Sequence, residues 1–385
     1  MTELVGITWN HTRGWLPLAA AAQRFMDERP EVQITWHRRS LQEFADYPIQ
    51  KLAERFDMIV IDHPFAGYAA SHPVLVPLDL YLSETYLADQ RSNSVGKSFE
   101  SYECGGHLWA LPIDAATPVS SARLDVLERF GEGIPKTWDE LLALARKGLV
   151  ALPAIPIDAL MATYMVVIGL GETPFANGST MASPGVGTSA LEALRELVKL
   201  CDPACLTRNP IRTYEAMIRS DTLGYCPFAY GYTNYSRASY TVPRPTLTFG
   251  NLVTMGNHQL CSTLGGTGLA VTERCTGASR DLAVEFAAFC CSREVQRGMW
   301  TIDGGQPGHR AAWLSPECNA MTGNFFANTL KTLDEAFVRP RHSGGIPFQD
   351  EASVLVHRYL VDGGNAASVA SEIDRLYQES LSHGE

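Results

Sequence analysis

Residues 57–63 read Asp57-Met58-Ile59-Val60-Ile61-Asp62-His63, with an unbroken apolar run between two carboxylates. A short continuous run of this kind belongs to a strand buried on both faces, as in a parallel sheet covered by helices. Immediately before it, Leu41 to Arg55 sets Leu41, Phe44, Ala45, Ile49, Leu52 and Ala53 at helical spacing despite Pro48. Further back, Val32 to Trp36 reads as a strand, Trp15 to Glu28 as an amphipathic helix ended by Arg29-Pro30, and Leu4 to Trp9 as a first strand. The order is βαβαβ, which specifies a parallel sheet with right-handed crossovers. Ligands of open α/β sheets lie beyond the carboxyl ends of the strands. The residues that matter are therefore Trp9 to Arg13, Arg38 to Ser40, and Asp62 with His63.

Composition narrows the function classes. The chain has 385 residues, 45% of them hydrophobic and 19% charged, enough for a sizeable core and too apolar for disorder. At this length a single core normally splits, so two lobes are expected. The 42 acidic against 31 basic residues give a net charge of -11, the wrong sign for a nucleic-acid backbone. The longest nearly uncharged apolar run, Leu160 to Leu170, is shorter than the roughly 20 residues of a membrane span and reads as a buried helix. No G-x-G-x-x-G or G-x-x-x-x-G-K follows any of the opening strands, so dinucleotide and P-loop chemistry lack their backbone cradle. No cofactor and no metal are expected: Cys201 and Cys205 lie one helical turn apart, but no ligand pair of matching spacing follows.

The first thirty residues scatter Glu3, Arg13, Arg24, Asp27, Glu28 and Arg29, without the basic start and apolar stretch of an export leader. The nine cysteines are odd in number and show no paired spacing. The expectation is a reduced, cytoplasmic protein as written, or a periplasmic one if a leader has been removed.

Four stretches together resemble the solute-binding proteins of ABC importers, in the carbohydrate-binding group called family 1. They are the opening βαβαβ through His63; Gly105-Gly106-His107-Leu108-Trp109-Ala110-Leu111-Pro112-Ile113-Asp114; Gly265-Gly266-Thr267-Gly268-Leu269-Ala270-Val271 with the helix-like Ser279 to Cys290; and Gly304-Gly305-Gln306-Pro307-Gly308-His309-Arg310. The resemblance spans nearly the whole chain. It implies a two-lobed periplasmic-binding-protein-like fold of type II, each lobe a mainly parallel sheet flanked by helices. The chain would cross a hinge several times, with residues 1–113 and 247–311 in lobe one and 114–246 and 312–385 in lobe two. It implies a sugar, polyol or sugar-acid held in a cleft between the lobes by hinge closure, an ABC permease as partner, a monomer, and binding without catalysis. The alternative is a cytoplasmic enzyme or ligand sensor on the same scaffold, since a fold does not set a function.

The candidate binding residues each carry two readings. Trp9 can stack on the apolar face of a sugar or fill a core. His11 can bond a hydroxyl or move a proton, or sit solvated in a loop. Asp62 and His63 end an apolar strand where the sheet opens; the carboxylate can accept two hydroxyl bonds or cap the next turn. Arg39, beside Arg38, can hold an anion or belong to the surface. Asp114 stands at the proposed hinge, free to bond either solute or backbone. Tyr230 and Tyr232, within Phe228 to Tyr235, form an aromatic cleft wall or a half-buried strand. Gly266 and Thr267 allow close approach of backbone amides to a ligand, or a tight turn. In the enzyme alternative His11, Asp62, His63 and Asp114 would be the acid and base groups.

Overall fold

The computed structural model describes residues 1–40, 49–238 and 244–382. Its chain falls into two compact units. Unit 1 comprises Met1–Ala116, Leu264–Leu330 and Arg341–Ser343; unit 2 comprises Thr117–Thr263, Lys331–Pro340 and Gly344–Glu385. Two two-residue hairpins aside, the strands are β1 (Thr2–Trp9), β2 (Val32–Arg39), β3 (Met58–Ile61), β4 (Leu111–Ala116), β5 (Pro118–Ala122), β6 (Tyr225–Tyr230), β7 (Thr248–Gly250) and β8 (Gly265–Val271).

Unit 1 is built on a five-stranded sheet in the order β2-β1-β3-β8-β4. β1 runs parallel to β2 and to β3, as the βαβαβ reading requires, whereas β8 pairs antiparallel to both β3 and β4. All four residues of β3 are buried, as a central strand demands. The helix Thr12–Glu28 buries Leu18, Ala21, Ala22 and Phe25 along one stripe, and Phe25 meets Phe286 edge-on, with ring centroids 5.3 Å apart. The expected helix from Leu41 lies largely outside the described residues; Ile49–Ala53 is helical and buries Leu52.

The boundaries between units differ from those read in the sequence. β4 and β8 pair from Leu111 opposite Leu269 out to Ala116 opposite Gly265, which keeps both ends in unit 1. Beyond residue 311, Trp313 Nε1 donates to Pro307 O (2.7 Å) and Asn319 Nδ2 to Trp313 O (2.8 Å). These bonds hold that stretch to unit 1 as far as Leu330.

Unit 2 departs from the expected mainly parallel sheet. Its three strands, in the order β6-β5-β7, pair antiparallel throughout, and the parallel pairing there is confined to isolated bridges such as Val150 to Tyr225. β5 carries Pro118, Ser120 and Ser121 in place of an apolar run, so its composition holds no signal for a parallel neighbour. The core of this unit is helical. Pro156–Gly169 is buried from Asp158 through Val167 on all sides, as a helix apolar all round should be, and it packs against Gly345–Asp362 and Pro184–Leu200. Each unit has its own hydrophobic cluster.

Candidate functional site

Strand register gathers the unit 1 candidates at one edge of its sheet. Trp9 pairs with Arg39 at the carboxyl ends of β1 and β2. Ile61 lies opposite Gly268, so Asp62 and His63 continue past β3 beside Thr267, which is itself opposite Asp114. Trp9, His11, Arg39, Asp62, His63, Asp114, Gly266 and Thr267 therefore share the edge where an open α/β sheet receives its ligand. Tyr230 and Tyr232 belong to unit 2.

The local chemistry sorts these residues. Trp9 is buried in the unit 1 core, and its indole lies so close over Gly14 that any Cβ there would overlap the ring. His11 Nδ1 accepts from Arg13 N (3.1 Å) as the N-cap of the first helix. Burial first, and the charge of Arg13 second, lower its pKa to about 4, so the ring is a neutral acceptor at pH 7. Arg39 is buried and donates from Nη2 to Val60 O (3.1 Å), tying β2 to β3. Asp62 Oδ1 accepts from His63 N (2.8 Å) and lies 3.2 Å from His63 Nδ1. Its side chain is 27% exposed against 1% for His63, so of this pair the carboxylate is the group a solute can reach.

Asp114 is held by a buried ion pair. Arg13 Nε donates to its Oδ2 (2.8 Å) and Arg13 Nη2 to its Oδ1, a fork buried on both sides. Burial pushes the carboxyl upward, while the guanidinium bonded to both oxygens pulls it back. Bidentate geometry is what lets an ion pair offset its desolvation. Arg13 was not among the sequence candidates for Asp114, because no local pattern connects residues 101 positions apart. Gly266 has φ +99°, and a Cβ there would meet the backbone of Asp114 and Ala115; close approach of two strands accounts for this glycine. At the adjoining register shift Thr267 is buried, and its Oγ1 has no hydrogen-bond partner among the described residues.

In unit 2, Tyr230 ends β6 half-buried with Oη 3.2 Å from Thr263 Oγ1, and Tyr232 is buried. Tyr214 organises this region: its hydroxyl lies 3.0 Å from the carbonyls of Ala229 and Tyr230, and its ring meets those of Tyr232 and Phe249 edge-on. Phe228 to Tyr235 is thus a strand end and a short turn, Thr233–Tyr235, resting on Tyr214. Asp158, another buried carboxyl and one that the sequence reading passed over, lies in the first turn of the helix Pro156–Gly169. Burial alone raises its pKa to about 8.

Two α/β units that exchange chain segments, with candidate groups at the carboxyl edge of a βαβαβ sheet, define the type II periplasmic-binding-protein fold. Solved structures similar to this chain include maltose-bound T. maritima MalE3, at TM-score 0.85 and 18% identity over 98% of this chain and 100% of that one. An ABC transporter solute-binding protein from Agrobacterium radiobacter in complex with ribitol gives TM-score 0.81 at 16% identity, covering 99% of this chain and 98% of that one. Another from Agrobacterium vitis with bound D-mannitol gives 0.77 at 14%, covering 100% and 99%. The chain matches the family of bacterial extracellular solute-binding proteins over residues 47–323 and belongs to it.

Proposed function

We propose that this solute-binding protein takes a sugar or polyol and serves as the receptor of an ABC-type importer. The observation that carries the reading is family membership over residues 47–323, together with a fold shared by proteins solved with maltose, ribitol and mannitol. At the unit 1 edge the partly exposed Asp62 carboxylate suits neutral hydroxyl donors. In this reading the solute's contacts shift a population of conformers that differ by only a few kcal/mol. Calorimetry against maltose, ribitol, D-mannitol and D-tagatose, with small-angle scattering on the same samples, tests it. Binding accompanied by compaction is expected, and binding with no change in radius would remove the closure mechanism.

We further propose that all nine cysteines are reduced in the native protein. All nine cysteines are free, and seven of them are buried. Thiol titration of protein taken directly from the native cell should return nine reactive groups after denaturation. A count of one would mean four disulfides and an oxidising location.

A further inference from the structure

Arg13 follows β1 and Asp114 lies on β4, and in the sheet of unit 1 both β3 and β8 stand between those two strands. The ion pair is therefore a strap across the ends of β3 and β8 that carry Asp62 and Thr267. Such a strap is only as fixed as its anchors. β4 is the last strand of its sheet, so its outer main chain needs partners from elsewhere. The stretch 306–309 covers it incompletely. Ala115 N donates to Gln306 O (2.9 Å) and Gln306 Nε2 to Ala115 O (2.8 Å), while Pro307, which has no N–H to give, stands opposite Asp114.

Gln296 completes the anchor. It is fully buried; its Nε2 donates to Ile113 O (3.2 Å) and Cys290 O (2.8 Å), and its Oε1 accepts from Gly308 N (2.7 Å) and His309 N (3.3 Å). A glutamine amide has two donor hydrogens and two acceptor lone pairs, and all are used. They tie the residue before Asp114, the end of the helix Gly277–Cys291 and the covering stretch together. Gly308 admits the close approach, since a Cβ there would lie 2.1 Å from Pro112 O. After the short helix Arg293–Val295 the chain enters a π-type turn, Gln296–Trp300, with Gly298 outside the helical dihedrals; turns of this kind recur at functional sites. We propose that Gln296 is a positioning residue for solute binding. Without touching the solute, it fixes the β4 end of the Arg13–Asp114 strap, and so the spacing of the edge at which Asp62 meets a hydroxyl group. The inference rests on the sugar or polyol reading given above. An apolar side chain would fill the same space but would leave the main chain at Ile113 unheld, and a binding site keeps its geometry only as well as the groups behind it do.

Isothermal titration of the wild-type chain, Gln296→Met, Asp114→Asn and the double variant with maltose, ribitol, D-mannitol and D-tagatose, alongside thermal melting, decides the matter. Methionine has the length of glutamine and none of its amide bonds. For whichever probe the wild type binds, Gln296→Met should bind roughly 2–30-fold more weakly at a temperature where it is folded. In the Asp114→Asn background, where the strap has already lost its charge, the same substitution should change affinity by less than about 2-fold. A glutamine that only packs the core would lower the melting temperature in both backgrounds and leave affinity within about 2-fold. That result overturns the proposal and leaves the sugar or polyol reading standing, as does an equal loss of affinity in both backgrounds. Should Gln296→Met fail to fold, Gln296→Asn, whose amide is one methylene short of Ile113 O, takes its place under the same criteria. If the wild type binds none of the four probes, the reading itself falls and the proposal falls with it.

Discussion

Asp114 in unit 1 and Asp158 in unit 2 are the same side chain, both buried, in opposite circumstances. Asp114 has both oxygens bonded by the buried guanidinium of Arg13. Asp158 has an enclosed oxygen with no hydrogen-bond partner among the described residues. Burial disfavours the ionised form of each, and what separates them is the neighbour supplied by tertiary packing. A paired carboxylate serves as a fastening, whereas an unpaired one is a cost to folding.

The sharpest way to break the comparison is to unpair Asp114. Arg13→Ala leaves a buried carboxylate uncompensated and should destabilise the chain by about 3–5 kcal/mol in urea unfolding; a loss under about 1 kcal/mol would show that the pair contributes no more than an exposed one. Asp158→Asn should act in the opposite sense. The native chain keeps the Asp158 proton up to about pH 8, whereas the unfolded chain releases it near about pH 4. This residue's contribution to stability is therefore full below the lower pH and is lost as pH rises through the upper one. The variant should be more stable by roughly 2–4 kcal/mol at pH 7, an advantage that vanishes near pH 4. An advantage independent of pH would mean that Asp158 is already ionised in the native state.

Two smaller effects test the unit 1 edge. Gly14→Ala forces the Trp9 indole to move and should cost about 1–3 kcal/mol, as overpacking does, with a shift in the tryptophan emission maximum. Unchanged stability and emission would place the ring elsewhere. His11 has its pKa lowered to about 4, so its contribution is present above the ordinary histidine value and is lost as pH falls toward 4. His11→Asn keeps an N-cap that does not titrate and should retain roughly 1–2 kcal/mol more stability than the wild type at pH 4 than at pH 7. Parallel pH profiles of the two proteins would remove the histidine cap from the account. Acidification thus weakens the unit 1 edge while it relieves the unit 2 carboxyl.

Much of unit 1 was legible before any coordinates. The runs Leu4 to Trp9, Val32 to Trp36 and Met58 to Ile61 all form strands of its sheet, with β2 extending three residues further to Arg39. The rule that ligands meet the carboxyl ends of such strands named Trp9, His11, Arg39, Asp62 and His63, and strand pairing sets Asp114, Gly266 and Thr267, named on other grounds, at the same edge. Unit 2 was harder to read. Its strand β5 mixes proline and serine, and the antiparallel pairing of β5, β6 and β7 comes from segments more than one hundred residues apart.

Element type, the parallel arrangement of the opening strands and the family resemblance follow from periodicity and motif order, because both record interactions between residues close in the chain. The role of each candidate does not. Trp9 is packed over Gly14, Gly266 is required by the backbone of Asp114, Asp114 is held by Arg13, and Asp158 is buried with no partner for its Oδ2 among the described residues. Desolvation and hydrogen-bond pairing depend on which distant segments pack together, and a pattern of neighbouring residues carries no record of that.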